Sequence, residues 1–236
     1  MGHLGPLAIV VMLVALLLLS ICLRRRGARR RGSVLAMAST LADGLLLGSV
    51  LFFAVARPLL VETVAIPLES RSMQPTLHEQ DRVLTNKLIY RFTEPTHGDI
   101  IVFRPPPALR ETMPQRQRFI KRVVGVPDDR IRADRDGRLV RNGRVCDEPY
   151  ITEAQFIRYL PFPGEGPMWH DMEVVDGEIV VPEGGLLVLG DNRNASHDSA
   201  DWGYLPRDLV VGRAVAVIWP PSRARLLYGD ETAAGW

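Results

Sequence analysis

Ser72 and Lys121 are the residues of this chain whose types suit acyl transfer. Ser72 stands in Ser70-Arg71-Ser72-Met73-Gln74-Pro75-Thr76-Leu77, and Lys121 in the apolar run Arg118-Phe119-Ile120-Lys121-Arg122-Val123-Val124-Gly125-Val126. Of the 29 basic residues, 27 are Arg, and only Lys87 and Lys121 are Lys. Arg keeps its charge in any protein setting, whereas a Lys among apolar neighbours can shed its proton near neutral pH and act as a base. A serine hydroxyl needs such a base before it attacks a carbonyl carbon. Taken singly, each residue has a plainer explanation: loop serines form turns, and a strand-edge lysine is solvated.

Histidine is the commoner partner for a nucleophilic serine, so the five histidines have to be weighed. His3 sits at the N-terminus, and His78 and His170 lack a neighbouring carboxylate pattern. His97, in Thr96-His97-Gly98-Asp99, reads as a turn into a strand. His197 lies beside Asp198, which allows a Ser72/His197/Asp198 arrangement. Adjacent residues on a strand face opposite ways, however, and that works against His197 pairing with Asp198. For Lys121 to serve instead, its pKa has to fall from about 10.4 to near 7, at a cost of about 4 kcal/mol that burial would have to impose. A third feature is the polar stretch Gly190-Asp191-Asn192-Arg193-Asn194-Ala195-Ser196-His197-Asp198-Ser199, directly after the apolar Leu186-Leu187-Val188-Leu189. It reads either as a turn held by Asx bonds or as a layer that orients a neighbouring base.

The elements that must position these groups are short. From Val61 onward, β-branched runs alternate with turn residues: Arg82–Thr85, Asp99–Phe103, Phe119–Val126, Leu186–Leu189 and Val210–Trp219. Asp136-Gly137 and Asn142-Gly143 read as tight hairpin turns around Leu139-Val140. Pro105-Pro106-Pro107 and Pro161–Pro167 mark loops. No long helix-period segment follows residue 62, so the spacing predicts a mainly β, antiparallel domain over 63–220, with a polar tail over 221–236.

Residues 1–62 read as a membrane anchor. Leu4–Leu23 is 20 residues without charge, about 30 Å as a helix and long enough to span a bilayer core. A second apolar run covers about 41–60. Between them, the loop 24–40 carries six Arg from Arg24 to Arg31. Short Arg-rich loops stay cytoplasmic, which puts the C-terminal domain on the extracytoplasmic side of a multi-pass protein. The formal charge of +2 depends on that block, and the rest of the chain carries about −4, a poor match for nucleic acid. Cys22 and Cys146 lie in unlike settings, which argues against a disulfide, and no thiolate cluster suits zinc.

Four stretches occur in the order of the type I signal peptidase boxes, and the chain resembles that family from Ile66 to Ala214. They are Ser70–Leu77, Gly98–Phe103, Ile120–Pro127 and Gly190–Ser196. The resemblance implies that Ser72 is the nucleophile and Lys121 the general base. It also implies that Ser70 shares the oxyanion hole with the Ser72 N–H and that Ser196 orients the lysine. Asp191, Asn192, Arg193 and Asp198 would form the supporting layer, and Leu68, Met73, Leu77, Phe119 and Ile120 the shallow apolar subsites. The partners implied are signal peptides of exported preproteins, cut after small residues in an Ala-x-Ala pattern at the outer membrane face, and the lipid bilayer. No metal or cofactor is implied.

The chain departs from the commonest family pattern in places. Glu69 and Arg71 flank Ser70 where Pro and Gly are frequent, Asp128 stands where Gly is frequent, and Ala200 stands where an Arg often pairs with the residue at Asp198. Two further functions stay open at this point: a Ser–Lys peptidase dedicated to one partner, and an anchored module that binds signal peptides without cutting them.

Overall fold

The computed structural model describes residues 41, 43–50, 60–109, 117–151 and 173–227. The chain divides into two compact units, Met1–Leu60 and Val61–Trp236. In the first unit Leu41 and residues 43–50 are helical. The expected span 4–23 lies outside the described residues, as does half of the second, 41–60. Among the described residues no helix is long and apolar enough to cross a membrane.

The second unit is built from antiparallel strands. The first three are β1 (Val61–Ala65), β2 (Arg82–Asn86) and β3 (Ile100–Phe103). They are followed by β4 (Phe119–Gly125), β5 (Arg130–Ala133), β6 (Leu139–Arg141) and β7 (Arg144–Val145). Next come β8 (Val174–Val175), β9 (Glu178–Val180) and β10 (Gly185–Leu189). The last are β11 (Leu205–Pro206), β12 (Val210–Trp219) and β13 (Arg225–Leu226). One sheet runs β1-β2-β12-β3-β4-β10-β11, with β13 beside β12, and the other runs β7-β6-β5-β9-β8. Residues of the expected tail thus join the first sheet, where β13 pairs with Ala216 and Val217, and Leu227 is buried.

The continuous apolar runs are strands covered on both faces. On β3, Ile100 and Val102 pack into one core with Met73, Leu77 and Val83, while Ile101 and Phe103 pack into another with Val123, Trp202 and Leu205. With both faces buried, the usual apolar–polar alternation disappears. A third cluster, which includes Val124, Ile131, Leu139, Leu187 and Leu189, brings together residues of both sheets. The Asn142-Gly143 turn between β6 and β7 has φ of 52° and 77°, the mirror-type hairpin geometry that Asn-Gly favours.

Pro107 is not simply loop, because Pro107–Leu109 closes a single 3-10 turn. Pro161–Pro167 lies outside the described residues. Asp128 adopts φ 71°, so an Asp fills the left-handed position at which Gly is frequent, and its N–H donates to Val181 O at 2.9 Å. Asp tolerates that region better than most side chains do, so the turn keeps its shape.

Candidate active site

β4 carries Lys121, and the turn following Ile66 carries Ser72. The fold brings them together: Lys121 Nζ lies 2.8 Å from Ser72 Oγ and 3.2 Å from Ile120 O. Lys121 is only 4% exposed. Burial pushes its pKa down to about 8, against the pull of the Asp198, Asp191 and Asp201 carboxylates, which raise it. While protonated, the amine donates to the serine oxygen. Once neutral, it can accept the hydroxyl proton.

The serine loop is held from the turn after β10. Asn192 N–H donates to Ser72 O at 3.0 Å. A side chain at position 190 would run into Ser72 O and Ser196 Oγ, so the close approach requires glycine there. Asp191 is wholly buried and takes a bidentate grip from Arg122, with Nε to Oδ1 and Nη2 to Oδ2 both at 2.8 Å. Thr76 Oγ1 donates to the same carboxylate at 2.5 Å, and Arg122 Nη1 donates to Gly98 O at 2.9 Å. The Arg122 guanidinium also lies 3.8 Å over the Tyr150 ring. Arg122, Thr76 and Tyr150 were not singled out from the sequence. The available signal was an Arg next to Lys121 inside a run otherwise apolar enough to be buried.

The remaining polar candidates take distinct positions. Arg193 donates to Gly190 O at 3.1 Å and pairs with Glu148, so it does not stand in for the missing partner of Asp198. Asp198 instead accepts from Gly190 N–H at 2.8 Å and Ala200 N–H at 3.1 Å, capping the helical turn Ser199–Trp202. Burial holds its carboxyl above the usual range, although the Gly190 bond, Ser196 and the Lys121 charge pull it back. Because His197 and Asp198 sit in a turn before that helix, the strand argument against their pairing does not apply; it is capping that occupies Asp198. Ser196 Oγ is buried, lies near Asp198 without a well-formed bond, and makes no hydrogen bond to Lys121. The expected lysine-orienting contact is therefore not made in this structure.

Ser72 and Lys121 open into a cleft of about 400 Å³ between β1 and β4. Ser70, Met73, Phe119 and Ile120 line it. Leu68 and Leu77 do not. Leu68 is 64% exposed outside the cleft, and Leu77 is 1% exposed in the core beside Met73, where it packs rather than binds. Val64 of β1 and Ile66 just past its end, missed in the sequence, supply the facing wall. Their signal was the apolar alternation of a strand edge.

The family model described as signal peptidase, peptidase S26, matches residues 34–219. A probable signal peptidase I-2 from Synechocystis sp. is 38% identical over 74% of this chain and 70% of its own length. A signal peptidase I from Leptolyngbya laminosa is 39% identical over 71% of this chain and 73% of its own. A solved signal peptidase I from Enterococcus faecalis V583 is 31% identical, covers 51% of this chain and 97% of that one, and superposes with a TM-score of 0.36. The match of the family model and the two curated relatives, over most of the chain, places this protein in the signal peptidase family, peptidase S26, a family of serine endopeptidases that remove signal peptides.

Proposed function

We propose that this chain cleaves signal peptides through a Ser72–Lys121 dyad. Ser72 Oγ attacks the scissile carbonyl while neutral Lys121 takes its proton. The Ser72 N–H and the Ser70 hydroxyl receive the oxyanion. Charged Lys121 then protonates the leaving amine and afterwards deprotonates the water that hydrolyses the acyl-enzyme. The supporting observation is the 2.8 Å approach of a buried amine to a hydroxyl in a cleft. Asp191, Asn192 and Arg193 hold the serine loop and the turn beneath it, and Asp198, with Asp191 and Asp201, partly offsets the effect of burial on Lys121. Met73, Phe119 and Ile120, with Val64 and Ile66, form an apolar wall suited to small side chains.

Residues 1–62 serve as the anchor, with spans at about 4–23 and 41–60 and the Arg-rich loop 24–40 on the cytoplasmic side. The peptidase domain then meets its substrates at the outer face of the cytoplasmic membrane, where a signal peptide emerges from the bilayer.

One precursor incubated with purified full-length protein and its variants tests the chemistry. Wild type and His197→Ala cut, while Ser72→Ala and Lys121→Ala do not. Cleavage retained by Lys121→Ala would remove the proposed base. A folded wild type that neither cuts nor forms a Ser72 adduct with an acylating penem would be a binder instead. Sidedness is read from a tag at Trp236, which protease added to spheroplasts should digest.

A further inference from the structure

A second cavity, of about 590 Å³, adjoins the serine loop at Arg71 and Gln74. It is lined by Gln74, His78, Glu79, Trp219 and Arg223, and it shares Arg71 with the catalytic cleft. Arg71 stands between Ser70 and Ser72, so the two cavities share the residue next to the proposed nucleophile. They differ in chemistry. The cleft has an apolar wall of Val64, Ile66, Met73, Phe119 and Ile120, whereas the second cavity is mostly polar and charged. A peptide cut at Ser72 has two halves, one ending in the acyl group and one beginning with the leaving amine. The apolar cleft suits the small residues of the acyl half.

We propose that the polar cavity beyond Arg71 receives the first residues of the leaving half, and that Arg71 favours an acidic side chain there. This rests on the peptidase reading above. The cavity has two arginines, and only one of them is exchangeable. Arg223 is committed to Asp81 at 2.8 Å, a carboxylate only 2% exposed. Arg71 pairs with Glu79 at 3.2 Å, and its own side chain is 70% exposed. An exposed pair of this kind is held loosely, so a substrate carboxylate can replace Glu79 on the Arg71 guanidinium. A substrate lysine at the same place would instead meet the Arg71 charge.

The test uses full-length protein in detergent and precursor peptides identical up to the cut, with Asp, Ala or Lys at each of the first three positions after it. At one of these positions kcat/KM should fall from Asp to Ala to Lys, by about fivefold overall. Glu79→Gln should widen the ratio by freeing Arg71, and Arg71→Glu should reverse it. The same peptides are titrated onto the Ser72→Ala chain, where affinity should follow the same order. Equal turnover and equal affinity across the series would overturn the subsite, as would a preference that Glu79→Gln and Arg71→Glu leave unchanged. Peptides that bind with an Arg71-dependent preference but are never cut by wild type would support the subsite and overturn the peptidase reading, so the two can fail separately.

Discussion

Lys121 and Arg122 are consecutive, equally buried cations with opposite surroundings. Arg122 is locked to Asp191 by two bonds of 2.8 Å and stacks on Tyr150. Lys121 has a hydroxyl and a backbone carbonyl as its partners, with carboxylates near enough to influence it but none bonded to it. Burial alone therefore does not decide what a charge does. A buried cation given a carboxylate becomes a fixture, and one given only neutral acceptors is poised to lose its proton. The fixture serves the poised group, because Asp191 ties Thr76, four residues past Ser72, to the strand that carries Lys121.

The sharpest way to break this contrast is to remove the poised pair. Ser72→Ala or Lys121→Ala should lower precursor cleavage at least about 10³-fold in a single-turnover assay. Arg122→Met should act through the fold, leaving Asp191 buried and unpaired at a cost of about 3–5 kcal/mol in denaturant unfolding. Adding Asp191→Leu should recover much of that loss. Lys121→Met should do the opposite and stabilise an inactive protein. A pKa held at about 8 instead of 10.5 means that the charged form is disfavoured by about 3 kcal/mol, a penalty present below pH 8. Between about 8 and 10.5 the unfolded chain binds the extra proton, so wild-type stability rises with pH and the advantage of Lys121→Met shrinks. A stability gap between the two that did not change with pH would show that the amine is not depressed.

Smaller effects sharpen the same comparison. Because the proposed base, Lys121, acts only when neutral, kcat/KM should rise about tenfold per pH unit below 8 and level off above it. Thr76→Val removes one bond to the buried Asp191 and should cost about 1.5 kcal/mol, with a modest loss of activity as the serine loop loosens.

Much of this was legible in the sequence, for local reasons. β3, β4, β10 and β12 follow from runs too apolar to be exposed, and the β6–β7 turn follows from Asn-Gly. Ser72 and Lys121 stood out because of their types and neighbours, whereas Met73, Phe119 and Ile120 entered only through the family resemblance. What failed depended on distance through space. Leu68 and Leu77 flank Ser72 in sequence as closely as lining residues do, yet one faces solvent and the other the core. The resemblance puts Ser196 beside the lysine, but here its buried hydroxyl makes no hydrogen bond to Lys121.

From composition and order alone came an antiparallel β domain, one hydroxyl and one exceptional amine. These are properties of residues and their immediate neighbours, and propensity and periodicity carry them. Only the folded chain decided that the amine lies 2.8 Å from the hydroxyl, that its neighbour Arg122 takes the buried Asp191 carboxylate, and that Arg71 borders both an apolar cleft and a polar one. The first two outcomes join residues 49 and 69 positions apart, and such meetings are set by how the strands stack rather than by any local preference.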